Sequence, residues 1–337
     1  MNLFIGSYRH QMYMPAAVLL TWIMAFTGSG CSGDGKPGQM QLVDSLTLRG
    51  IPSGSGMAVA FNDSVYIVGD DATSLYVAGQ ATFRHREIRL ASIPRGMYRE
   101  AKTVKHDFES AAVINVEGSQ FLLAFGSGSQ TPGRDSLLLV NLRDPDRQVS
   151  FSLSQFYDSL RTQTSTSKAM WNIEGSAVNG HNLLLVNRGN NVLIRLDADA
   201  FLHFILHPGN PMPVAKEWQT IDLPMLQGKP ARLSGLSTIN DSLLLFCASV
   251  EDTPDWTSDG PVLGSFIGVY SLTAKAVRYC FLLKDDKGEA LKEKLESVEW
   301  LHQPDERQGD ILAIADNDDG STKLFRVRFP VSFRLSH

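Results

Sequence analysis

The chain has 337 residues, with 31 basic and 36 acidic side chains and a formal net charge of −5 at pH 7. Mild acidity excludes a general nucleic-acid or anionic-lipid binder, and a hydrophobic fraction of 43% is enough for a packed globular body. A single all-β domain commonly reaches this size.

At the N-terminus, Arg9 and His10 precede an apolar run, Ala16 to Phe26, and Gly28-Ser29-Gly30 leads into Cys31. A basic start, a short apolar segment and small residues make a secretory signal over residues 1–30. The apolar run is about half of the roughly 20 residues a membrane-spanning helix needs. The order resembles a bacterial lipoprotein signal. That resemblance implies a lipidated Cys31, attachment to a membrane through the lipid, and a place in the bacterial cell envelope at the outer membrane. The alternative is an ordinary signal peptide with an incidental Cys31. Residues 31–40 are rich in Gly, with Ser32 and Pro37 among them, and read as a flexible tether, which leaves residues 41–337 as the folded domain.

Five copies of one short pattern follow. They begin at Ser55, Glu109, Glu174, Ser234 and Glu296, at spacings of 54, 65, 60 and 62 residues. Each reads Glu or Ser, then Gly or Ser, then a mostly apolar run. Recurrence at this length points to an array of similar β units. The first unit parses as strands over Gly56–Phe61, Ser64–Val68, Ser74–Ala78 and Thr82–Leu90, with turn residues between them. Second and third strands recur as Phe121–Phe125 and Ser136–Val140, Asn182–Val186 and Asn191–Arg195, Ser242–Cys247 and Phe266–Tyr270, and Asp310–Ala315 and Lys323–Val327. These strands are apolar on both faces, which suits sheets stacked in a ring. Helical periodicity is scarce: Phe156–Lys168 is an irregular candidate, and Glu289–Lys294 is expected to form a turn or two.

Four strands per unit and five units make a five-bladed β-propeller of antiparallel blades. The last unit lacks an outer strand, and Gln41–Leu48 belongs to no other unit, so this segment is expected to close the ring and remove an open edge. A sixth blade remains an alternative if Asp197–Arg232 hides one. Cys247 and Cys280 fall on the second and fourth strands of one blade. Two strand spacings are about 9.6 Å, beyond the roughly 7 Å that a disulfide tolerates between Cα atoms, so two buried thiols are expected.

Asp107-Phe108-Glu109-Ser110 and Asn172-Ile173-Glu174-Gly175, each followed by an apolar strand, resemble phytase-like and gluconolactonase-like propellers. They are closer still to lipid-anchored Bacteroidetes propellers of unknown function. The resemblance covers roughly residues 40–330. It implies a divalent ion at the axis, with Glu109, Glu174, Glu296 and Asp316 as ligands for calcium.

The first strand of a propeller blade lines the central channel, so the five repeated residues should ring one mouth. Three carboxylates there repel, at about 2 kcal/mol per pair for a separation of roughly 8 Å and an effective dielectric of about 20. Lys105, His106 and Arg188 are the candidate compensating bases. Asp70 and Asn190 join them from the loops after second strands, as does Asp316, within an acidic turn that lacks EF-hand spacing. Two readings stay open: an axial site for a ligand or metal, and glutamates that cap backbone amides of the next blade. His106 beside Asp107 is a weak acid–base pair, because adjacent strand residues face opposite ways. Gly126–Ser129 has no following Lys-Ser or Lys-Thr and is no phosphate loop. Nucleophile-elbow and zinc-protease motifs are missing. The expected function is a ligand-binding module, with a calcium-dependent hydrolase of a phosphoester, lactone or sugar ester and a partner-docking lipoprotein as alternatives. A monomer with no nucleic-acid partner is expected.

Overall fold

A computed structural model describes residues 40–60, 63–207, 209–253, 260–301, 309–316 and 320–329. The signal segment, Cys31, most of the tether and the centre of the acidic turn after Asp316 lie outside the described residues. Among the described residues no helix is long and apolar enough to cross a membrane.

Five four-stranded antiparallel sheets form the five blades. From axis to rim, blade one is Gly54–Val59, Ser64–Gly69, Ser74–Gly79 and His85–Arg89, and blade two is Phe108–Val116, Ser119–Gly126, Ser136–Asn141 and Gln148–Ser152. Blade three is Ile173–Asn179, Asn182–Asn187, Val192–Asp197 and Glu217–Thr220. Blade four is Arg232–Asn240, Leu243–Glu251, Val262–Ser271 and Ala276–Leu282. Each inner strand touches the inner strand of the next blade, and the fifth returns to the first.

Blade five closes the ring. Its inner three strands are Leu295–Leu301, Gly309–Asp316 and Ser321–Phe329, and its outer strand is Gln41–Arg49 from the start of the domain. Leu46 pairs with Leu324 and Leu48 with Thr322. Leu48 is buried in the same core as Leu324, Leu312 and Ile67, so the closing strand is held by packing as well as by its ladder. Thr322 adds a seal between blades five and one: its hydroxyl accepts from Gly54 N at 2.9 Å and donates to Ile51 O at 2.9 Å.

Apolar side chains on both faces of the middle strands fill five cores, one between each pair of neighbouring blades. The core between blades two and three is enlarged by two helices. Ser154–Gln163 buries Phe156, Tyr157 and Leu160 on one face and overlaps the irregular segment Phe156–Lys168 read from sequence, starting two residues before it and ending five before its end. Ala198–Leu206 buries Phe201, Leu202 and Ile205 and starts at Asp197, whose carboxylate accepts from Ala200 N at 2.8 Å. The rings of Phe156 and Phe201 meet at 5.2 Å.

That second helix fills the stretch in which a sixth blade could have hidden. The rest of Asp197–Arg232 is the outer strand of blade three and a small hairpin, Met225–Leu226 with Lys229–Pro230, so the ring has five blades. Glu289–Lys294 forms no helix. Its chain is drawn back onto blade four by Leu291 N donating to Leu283 O at 3.0 Å and by a bridge between Lys284 and Ala290. Cys247 and Cys280 are unpaired thiols on second and fourth strands, with Val262–Ser271 between them; Cys247 is buried as expected, but Cys280, on the outer strand, is only half-buried.

Deleting residues 41–50 should leave the backbone groups of Ser321–Phe329 unpaired on one side. We expect aggregation or loss of cooperative unfolding, read by size-exclusion chromatography and urea denaturation. A monomeric variant with an unaltered midpoint would show that the closing strand contributes nothing.

Candidate functional site

The repeated sequence pattern has a single structural cause. In every blade the pairing register of the inner strand slips at the same place, around Ser55, Glu109, Glu174, Ser234 and Glu296. A β-bulge leaves one residue without a ladder partner, bends the strand and re-aims its side chain. The small residue that follows is dictated by space. A Cβ on Gly175 would lie 3.0 Å from Leu236 N of the next blade, and one on Gly235 would lie 2.8 Å from Ser297 Cα. Where serine stands instead it can bond across the gap, as Ser297 Oγ does by accepting from Met57 N at 3.1 Å.

Four of the bulged residues, Ser55, Glu109, Glu174 and Glu296, line a cavity of about 790 Å³ at one mouth of the axis. The fifth, Ser234, is buried beside it, with its hydroxyl 3.3 Å from that of Ser249. Ser55 donates to Phe108 O of the next blade at 2.5 Å.

The glutamates do not cap backbone amides among the described residues. Glu174 accepts from Arg188 Nη1 at 2.9 Å and from Asn172 Nδ2 at 2.6 Å. The other arm of Arg188 bonds Glu251, so one buried guanidinium serves two carboxylates from neighbouring blades. Glu296 pairs with Lys294 Nζ at 3.1 Å. Burial works against charge on Arg188, but Glu174 and Glu251 outweigh it and hold the guanidinium above its usual range. Lys294 is held up chiefly by Glu296, against its burial. Burial pushes Glu174 upward, with Arg188 opposing.

Glu109 differs. Protein surrounds it on all sides except the cavity, and among the described residues it takes no hydrogen bond or ion pair. Its neighbour Lys105 is committed elsewhere, bonding Asp70 and lying 2.6 Å from Asp107 Oδ1. Asp107 sits in left-handed backbone at φ 56° and also receives Arg134 Nη1 at 3.3 Å and the Ser127 hydroxyl. One oxygen of Asp70 is buried without a partner. Burial, then the carboxylates of Asp107, Asp70, Glu174 and Glu296, pushes Glu109 well above the usual carboxylate range.

Lys105, Arg188, Asp70 and Asp316 line this cavity as well. His106 does not: its ring stacks on Phe108 at 5.3 Å, and Nδ1 lies 2.7 Å from Glu100 Oε1. Asn190 does not either. It bonds Asn187 Nδ2 at 2.6 Å and Thr166 Oγ1 at 3.0 Å, which fixes the turn that carries Arg188. Among the described residues no histidine or cysteine lines the cavity, so the arrangement offers charge and hydrogen bonds rather than a nucleophile with its base.

The four residues expected to hold calcium are not gathered as a ligand set, since Glu174 and Glu296 are committed to Arg188 and Lys294. Oxygens of Asp70, Asp107 and Glu109 do converge within 4.8 Å of one another. The Lys105 ammonium already bonds two of those three acids, so this set does not fit a dication while Lys105 stays in place.

Residues 50–329, from the approach to the first inner strand to the end of the third strand of blade five, match a family described as "Family of unknown function (DUF6929)". The chain belongs to this family. No protein of curated function matches it. Among solved structures, the DUF6929 chain is similar to the Malassezia sympodialis allergen Mala s 1, at 11% identity over 88% of this chain and 99% of that one, with a TM-score of 0.49. A PQQ-bound aldose sugar dehydrogenase from Streptomyces coelicolor matches at 8% identity over 87% and 99%, with a TM-score of 0.42. Kuenenia stuttgartiensis hydrazine synthase matches at 11% identity over 79% of this chain, with a TM-score of 0.37. The DUF6929 chain spans 56% of that hydrazine synthase chain.

Sequence reasoning missed Lys294, which stood in a segment expected to be helical, and Asp107, which was weighed only as a partner of His106. Asp107 was findable as an acid two residues before a bulged glutamate.

Two substitutions test this account. The fold raises the Glu109 carboxyl above the ordinary value of 4.5 that it keeps in the unfolded chain, so rising pH favours unfolding once it passes that value. Glu109→Gln should therefore match the parent at pH 4 and be more stable at pH 7, gaining at most about 1.4 kcal/mol per pH unit between the two pKa values. Equal melting curves at both pH values would show that Glu109 is not strained. Arg188→Met strands Glu174 and Glu251, and urea denaturation should report a loss of about 3–5 kcal/mol.

Proposed function

We propose that the protein is an exported, lipid-anchored propeller that binds a small polar ligand in this axial cavity. The observation that carries the reading is Glu109, an enclosed carboxylate facing the cavity without a partner while the neighbouring carboxylates have theirs. Such a group gains from a ligand that brings a cationic or donor group. The rim of the same cavity carries Lys102, Lys168 and Lys292, all exposed. Acid at the bulges and base at the rim favour a zwitterion or an amino-bearing anion, with its positive end at Glu109 and its negative end at the rim.

The anchoring half of the proposal rests on Arg9, His10, the apolar run and Cys31. Acyl chains contribute about 0.8 kcal/mol per buried CH₂, so Cys31→Ser should move the protein from the membrane fraction to the soluble exported fraction. Unchanged partitioning would defeat the anchor and leave the cavity proposal standing.

For the cavity, calorimetric titrations with glucosamine 6-phosphate, glucose 6-phosphate and calcium chloride separate the readings. Binding of the first should exceed that of the second by about tenfold or more, and Glu109→Gln should remove that difference. Equal binding of the two sugars overturns the role of Glu109. Tight calcium binding, lost in the same variant, overturns the zwitterion and favours the calcium-dependent hydrolase that the phytase-like resemblance implies.

A further inference from the structure

The opposite mouth of the axis carries a second cavity, of about 690 Å³, bounded by the other ends of the inner strands. Its electrostatics are unlike those of the first. Asp63, Asp199 and Glu299 line it, His181 is the one basic residue among the described lining, and neither lysine nor arginine contributes. His181 is engaged by Asp199, with Nδ1 2.9 Å from Oδ2.

Glu299 is the unusual member. Three residues beyond each bulge the inner strands place Ala58, Ala112, Ala177 and Ser237 in blades one to four and Glu299 in blade five. Four small side chains leave room at the axis, and the fifth is a carboxylate. Like Glu109, it is half-buried, lines the cavity and takes no hydrogen bond or ion pair among the described residues. Burial alone pushes it well above the usual carboxylate range. Around it the wall is mixed: Val59, Val113, Val178 and Thr238 stand at the next position in blades one to four, and Gln80, Asn115 and Gln120 add polar groups. In blade five that next position is Trp300, a half-buried indole.

A carboxylate without a partner, flanking valines and an indole, with no lysine or arginine among the described lining residues, are the elements that recognise an organic ammonium. We propose that this second cavity binds an organic cation with an apolar body, its ammonium group against Glu299. This inference does not depend on the ligand of the first cavity.

Three near-isosteric probes test it by calorimetric titration of the purified full chain: 2-phenylethylammonium, 2-phenylethanol and 3-phenylpropionate. The ammonium should bind about tenfold or more tightly than the alcohol, and the carboxylate most weakly. Glu299→Gln should fold with an equal or higher Tm and bind ammonium and alcohol alike. A second variant, Thr238→Lys, places a fixed ammonium on the half-buried cavity wall and should weaken the ammonium probe while sparing the alcohol. The proposal is overturned if ammonium and alcohol bind equally to the parent, if Glu299→Gln keeps the preference, or if the ammonium fails to bind at about 10 mM.

Discussion

Five inner strands converge on one axis, and where neighbours meet there is no room for a side chain larger than that of serine. The space around Gly175 and Gly235 states this constraint directly: an added Cβ would run into the backbone of the next blade. The bulge goes with it, because each strand must bend as it reaches the axis, and a bulged residue leaves the ladder and turns its side chain away. Polar residues at the bulges are therefore delivered to a common place by a backbone requirement. Once glutamates occupy three of those places, charge has to be balanced in a confined volume. The balance comes from within reach of each strand. Lys294 stands two residues before Glu296 and Arg188 follows the strand paired with that of Glu174, whereas Lys105, four residues before Glu109, is taken up by Asp70 and Asp107.

Much of this was legible in the sequence because the constraint repeats. A Glu or Ser, a Gly or Ser and an apolar run at spacings near 60 residues mark the bulge, the close approach and the inner strand. The orphan strand at the start and the missing strand at the end could be matched by counting. The separation of the two thiols followed from strand order. What could not be read was whatever loop geometry decides. His106 adjoins Asp107, and whether either reaches the axis depends on Asp107 adopting left-handed backbone, which carries the aspartate inward and leaves His106 to Glu100. The Ala198–Leu206 helix was hidden for another reason: its apolar face is completed by the Ser154–Gln163 helix from a different blade, so neither segment announces its packing partner.

The repeat also bears on scaffold against site. A feature present in every blade serves what every blade needs, and here that is the bulge rather than the side chain on it. Ser55 donates to a neighbouring carbonyl, Ser234 sits among buried hydroxyls, and Glu174 and Glu296 hold cations. Glu109 alone of the five keeps an unpartnered carboxylate toward the cavity among the described residues. The departure from uniform bonding, not the glutamate itself, is what distinguishes a candidate site from structure.

The same reasoning applies at the far end of the axis, where three alanines and a serine set the pattern and Glu299 breaks it. Both departures are carboxylates without partners, yet their surroundings differ. Lysines and arginines crowd the mouth at Glu109, and among the described residues none lines the mouth at Glu299. A symmetric scaffold thus carries an axis whose ends are chemically unlike. At one end a ligand must satisfy both signs of charge. At the other, positive charge is favoured, and among the described residues an anion would meet three acids against one histidine already engaged by Asp199. That polarity arises from a handful of side chains on a backbone that is nearly the same five times over, so it can be altered at either mouth without disturbing the bulges on which the ring depends.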